Sequence, residues 1–124
     1  MMDADTLFFF DGRPEELALY EALLEKISGF GAVRPVVHKT QISLKNRRVF
    51  ACVSLARVAR KALLPPHYIV LTLGLPYPLE SPRIAVKTEA QPRRWTHHIV
   101  LGAESELDKE LMAWVHEAYM FGNR

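Results

Sequence analysis

Five histidines, one cysteine and a long run of lysines and arginines free of acids are the residues here whose types could do chemistry. His97 and His98 are adjacent on a strand-like run, so their rings leave opposite faces and cannot chelate one ion. His38, His67 and His116 stand outside any HxH, HExxH or paired-cysteine context, and no metal or cofactor is expected from them. Restriction-type metal nucleases need an acid two residues before a lysine, and no D/E-x-K occurs. The glycines never form GxGxxG or a P-loop, and the G-x-S-x-G elbow of hydrolases is absent. Ser43 and Lys45 would lie about 7 Å apart on one strand face, too far for a Ser–Lys pair. Glu106 and Glu110 read as an ordinary solvated helix surface. Two chemistries survive. Lys39, Gln41, Ser43, Lys45, Arg48 and Phe50 can contact an anion, with Arg94 and His97 as secondary candidates. Alternatively, His97 or His38 near Arg94 serves as a general base on a small anionic substrate.

The element that must position the first set is a hairpin from His38 to Ser54. Lys39 to Lys45 alternates polar and apolar residues, the signature of a half-buried strand. Asn46-Arg47 supplies the turn, since Asn tolerates the left-handed conformation that tight hairpins demand. A two-residue loop pairs Lys45 with Arg48, Leu44 with Val49, Ile42 with Ala51 and Thr40 with Val53. The opposite face then carries Lys45/Arg48, Ser43/Phe50, Gln41/Cys52 and Lys39/Ser54. Like charges directly opposite are unfavourable, so Lys45 and Arg48 either splay into water or share an anion. Phe50 beside them, with Tyr68 next door, fits the outline of a base-stacking sheet, although the glycine-interrupted aromatic motif of RNA-binding sheets is absent. The plainer reading is a solvated sheet face.

Charge is unevenly laid out behind a net +2. Residues 1–30 hold seven acids against Arg13 and Lys26; residues 31–79 hold eight Lys or Arg and no acid; residues 80–124 are nearly balanced. A positive sheet facing an anionic partner, nucleic acid or protein, follows from this layout. Acidic helices that pack beside the sheet and neutralise it are the competing explanation. At 124 residues with 49% hydrophobic content, the chain is a single domain with room for a real core. The lone Cys52 excludes an internal disulfide and fits a reducing, cytoplasmic setting. Leu7 to Phe10 is too short for a signal sequence or a span, so no membrane association is expected.

Around the hairpin, Asp3 or Asp5 caps a short helix Thr6–Phe10, and Pro14 opens a second helix striped by Leu17, Tyr20, Leu24 and Ile27. Val33 begins an edge strand or bend at Pro35. Tyr68–Leu75, Arg83–Lys87 and Trp95–Leu101 read as strands. Ser105 and Asp108 resemble a capping box before a helix striped by Leu107, Leu111, Trp114, Val115, Ala118 and Tyr119. The expected fold is α+β: an antiparallel sheet of about five strands, with two N-terminal helices and one C-terminal helix mainly on one face.

Four stretches carry a resemblance to a bacterial and archaeal family. They are FDGRPExxxxYxAL (Phe10 to Leu23), KTQISLKNRRVFA (Lys39 to Ala51), LxSPRI (Leu79 to Ile84) and WTHHIVL through ELDxELxxWxxxAY (Trp95 to Tyr119). Together they resemble the domain of unknown function 5655. The resemblance implies a compact α+β domain and no defined reaction. Larger relatives carry a transport label, which the lack of a membrane segment here undercuts; others join restriction-like modules, which by analogy favours nucleic-acid or protein interaction. The function expected is a non-enzymatic binding module for an anionic partner. The alternatives are the histidine-based enzyme and an interaction domain that forms a homodimer through an exposed strand edge.

Overall fold

The strands lie in one antiparallel sheet, seen in a computed structural model that describes residues 3–124. They are β1 (Arg34–Val37), β2 (Gln41–Lys45), β3 (Val49–Ser54), β4 (Ile69–Leu75), β5 (Ile84–Gln91) and β6 (Arg94–Leu101), in the order β1-β2-β3-β4-β6-β5. The sheet has six strands where about five are expected, because the Val33–Pro35 bend extends into β1. Pro35 lacks the N–H that a second ladder would need, and its edge position spares it one.

Three helices cover one face: α1 (Ala4–Phe9), α2 (Pro14–Ser28) and α3 (Lys109–Gly122). Asp3 caps α1 by accepting from the Thr6 N–H at 2.8 Å. Asp108 itself caps α3 through the Leu111 N–H at 3.0 Å, which corrects the expected start at Ser105. Glu106 instead accepts from the Gly102 and Ala103 N–H groups and folds Glu104–Glu106 into a 3₁₀ turn. The stripe of α2 is also displaced: Leu19, Tyr20, Leu23 and Ile27 are buried, whereas Leu17 and Leu24 are only partly so. Under the helices the rows Ile42–Val53–Leu71–Ile99 and Leu44–Ala51–Leu73–His97 run across four strands, and all eight residues are buried. Period-two alternation therefore identifies the core face correctly.

The hairpin register differs from the expected one by two residues. Ile42 pairs with Val53 and Leu44 with Ala51, while Lys45 faces Val49. A shift of two preserves the faces of Ala51 to Ser54, so the core assignment holds there, whereas Val49, expected on the core face, is exposed. The loop is three residues long, Asn46 to Arg48, and Asn46 does not adopt a positive φ. Its amide is needed elsewhere: Asn46 Nδ2 donates to the Tyr119 carbonyl in the last turn of α3 at 2.6 Å.

A bulge follows the loop, with Val49 and Phe50 together opposing Lys45. The extra residue turns Phe50 into the core, 2% exposed, edge-on to Tyr119 with ring centroids 5.2 Å apart. This corrects its expected place on the polar face and removes it as a stacking platform.

Candidate anion-binding cleft

The expected contacts divide between the two ends of β2. Lys39 is exposed just before the strand, and Gln41 is half-buried at its start. Lys45 ends it, half-buried between Arg34 and Val49, and Arg48 is exposed in the loop beyond. The four steps from Gln41 to Lys45 alone span about 13 Å, and Lys39 lies beyond Gln41, so Lys39 and Lys45 cannot serve one small ligand. Between them the open face is neutral. Ser43 is buried there with its Oγ 4.0 Å from Cys52 Sγ, and Thr72 Oγ hydrogen-bonds His98 Nδ1 at 2.8 Å. Burial pushes the Cys52 thiol up and His98 down from their ordinary values, which disfavours charge on both. Lysines and arginines gather at the sheet's two ends rather than on this face: Lys39 and the β3–β4 connection, with Arg57, Arg60 and Lys61, at one, and Arg34, Lys45, Arg48 and Arg94 at the other.

That end is assembled from several elements. Arg34 of β1 pairs directly with Lys45 of β2, and Arg47 and Arg48 occupy the adjoining loop. The β3–β4 ladder stops at Ala51 and Leu73, whereas β4 continues along β6 with Gly74 opposite Thr96 and Leu75 opposite Trp95. Val49 and Phe50, at the bulge, take no part in the ladder to β4. A cleft of about 230 Å³ opens in the split, lined among others by Arg48, Gly74, Arg94, Trp95, Phe121 and Gly122. A Cβ placed on Gly74 would meet nothing within 4 Å, so the floor is open rather than crowded.

Two guanidiniums share one ring at the cleft. Arg94 lies 5.6 Å and Arg124 5.5 Å from the Phe121 centroid. A guanidinium stacked on a ring keeps its in-plane N–H groups free for a bidentate oxyanion. Among the described residues no carboxylate lies within 4.0 Å of Arg48, Arg93, Arg94 or Arg124, whereas Arg13, Arg83 and Lys87 all have acidic partners. Glu89 is the acid nearest by register, opposite Trp95 on exposed β5. Arg93 has a φ of 63° in the turn after Pro92, a left-handed conformation that a non-glycine residue adopts only at a cost.

The secondary candidates separate. Arg94 joins the cleft, but His97 is fully buried under the helices. Its Nε2 accepts from the Leu79 N–H at 2.9 Å, so Nδ1 carries the proton and faces the Leu73 carbonyl at 3.3 Å. Burial first, then the charge of Lys87 and the neighbouring His98, hold it below the usual histidine range, against the Leu73 bond. Both nitrogens serve the fold, which argues against His97 as a general base. His38 lines a separate, larger hollow of about 780 Å³ at the far end of the sheet, beside Phe8, Phe9 and Lys39, away from Arg94. Sequence reasoning misses Gly74, Phe121 and Arg124. The glycine interrupting the apolar run Ile69–Leu75 is the one available signal.

A family model described as a domain of unknown function, DUF5655, matches residues 8–122. The chain belongs to the DUF5655 family. No curated protein and no solved structure matches it. The DUF5655 match takes in the whole sheet and all the cleft-lining residues named above, and ends before Arg124. No helix among the described residues is long and apolar enough to cross a membrane.

Proposed function

We propose that this domain is a non-enzymatic binding module that takes the phosphates of a nucleic-acid strand at the basic end of its sheet. The observation that carries the reading is the convergence of Arg34, Lys45, Arg47, Arg48, Arg93 and Arg94 on one sheet end, around a cleft whose guanidiniums have no acidic partner among the described residues. Cations left without partners at one end raise the local potential and favour an anion there. The cleft admits one phosphate-sized group between Arg48 and Arg94, and the flanking cations follow the adjoining backbone. Lys39, before β2, and Gln41, at its far end, lie too distant to join that group, and Ser43 is buried.

Fluorescence anisotropy with single- and double-stranded oligonucleotides, at low and moderate salt, tests this. Affinity should fall steeply with salt, and replacing Arg48 and Arg94 together by Ala should weaken binding at least tenfold. The same change should flatten the log–log salt slope by about one for each phosphate that is no longer neutralised. Undetectable or salt-insensitive binding, or binding unchanged in the double variant, overturns the proposal.

A further inference from the structure

Away from the cleft, α2 meets the β3–β4 connection through three side chains of metal-ligating type. Glu15 and Glu16 lie in the first turn of α2, and His67 stands shortly before β4. His67 Nδ1 is 3.3 Å from Glu16 Oε2 and 3.8 Å from Glu15 Oε2. One ligand atom from each of the three lies within 4.8 Å of the others.

Two observations set this group apart from a surface ion pair. The Glu16 side chain is 4% exposed, and its second oxygen, Oε1, is enclosed without a hydrogen-bond partner among the described residues. Leaving such an acceptor unsatisfied costs on the order of 1–3 kcal/mol, more for a charged group. That carboxylate therefore meets the imidazole nitrogen with Oε2 and keeps unused ligand capacity on Oε1. The second observation is how the loop is held. A Cβ on Gly102 would fall 2.6 Å from Pro65 Cγ and 3.4 Å from the His67 carbonyl, so glycine is what lets the Pro65–His67 segment lie against the end of β6. Glu15, His67 and Glu104 line a hollow of about 350 Å³ there, which gives access from solvent.

We propose that Glu15, Glu16 and His67 bind a divalent transition-metal cation of the zinc or manganese class, with its remaining positions open to that hollow. Ligands about 2.1 Å from a tetrahedral zinc lie about 3.4 Å from each other. The Glu16–His67 separation already meets that spacing, and the exposed side chain of Glu15 closes the rest by rotating. One imidazole with two carboxylates suits Zn²⁺ or Mn²⁺ better than the thiolate-seeking Cu⁺. Arg13, 3.9 Å from Glu16 Oε2, opposes the cation; it is exposed and free to swing away, so it lowers affinity without blocking the site.

Isothermal titration of the wild-type chain with Zn²⁺ and with Mn²⁺ tests the site. At least one of the two cations should bind in a single equivalent, and its affinity should fall at least tenfold in His67→Ala and in Glu16→Gln. Should Glu16→Gln fail to fold because of its burial, the half-exposed His67→Ala decides. Absence of saturable binding of both cations below about 1 mM, or wild-type affinity in His67→Ala, reduces the cluster to an ion pair and overturns the proposal.

Discussion

His97 shows what a single residue does when neither of its nitrogens is free. It links the Leu79 N–H of the β4–β5 connection to the Leu73 carbonyl of β4. His97→Leu should cost about 1–3 kcal/mol in urea denaturation at neutral pH, because the Leu79 donor is left buried without a partner. His97 and His98 are both held below the ordinary histidine value, first by burial. In the unfolded chain they return to about 6.5. The unfolded state therefore binds protons that the folded state refuses, and stability, complete above that pH, falls as the solution is acidified through it. The urea midpoint should drop between pH 7 and pH 5, and His98→Gln should flatten part of that dependence. A midpoint that holds or rises on acidification would contradict this account. At this scale the sequence is only half legible. Alternation puts His97 on the core face, but only the folded path of Leu79 reveals that its second nitrogen is used.

Hairpin and helix depend on each other at the bulge. Phe50 enters the core because one extra residue in β3 reverses the alternation, and α3 accommodates it by ending in glycine. A Cβ on Gly122 would lie 2.7 Å from Phe50 Cβ and 3.1 Å from Asn46 Oδ1. Helix propensity alone would make Gly122→Ala stabilising by about 0.5–1 kcal/mol. Overpacking against a strand typically costs about 1–3 kcal/mol and should win. We expect a lower melting temperature for Gly122→Ala; an increase would mean that α3 shifts freely on the sheet. The same coupling explains why the cleft is poorly legible. Arg48 and Arg94 stand out in the sequence as cations, but the split between β3 and β4 is a consequence of the bulge. A bulge has no signature in a run such as Val-Phe-Ala-Cys-Val, where every residue suits a buried strand. Elements with strong periodicity, β4 and α3 among them, are legible because one face of each is buried throughout.

On the scale of the whole molecule, acids and bases are separated by layer. The acidic first helices lie over one sheet face, and Arg34, Arg47, Arg48, Arg93 and Arg94 gather at one end of the strands. Charge counting along the sequence detects the asymmetry but places it on a face, since register and strand ends are tertiary facts. The sheet edges bear on the expectation of a homodimer. Pro35 interrupts one edge, while Lys87, Glu89 and two register irregularities mark the other, features that discourage pairing with a second copy. The strand order carries one more consequence. Because β6 lies inside β5, the strand at this edge is held by a single ladder, and nearly all of it is solvent-exposed. Its amides should exchange with deuterium through local opening long before those of β4, which is laddered on both sides and buried. Exchange followed by mass spectrometry should therefore resolve two kinetic classes within one sheet, a slow centre at β3, β4 and β6 and a fast hem at β5.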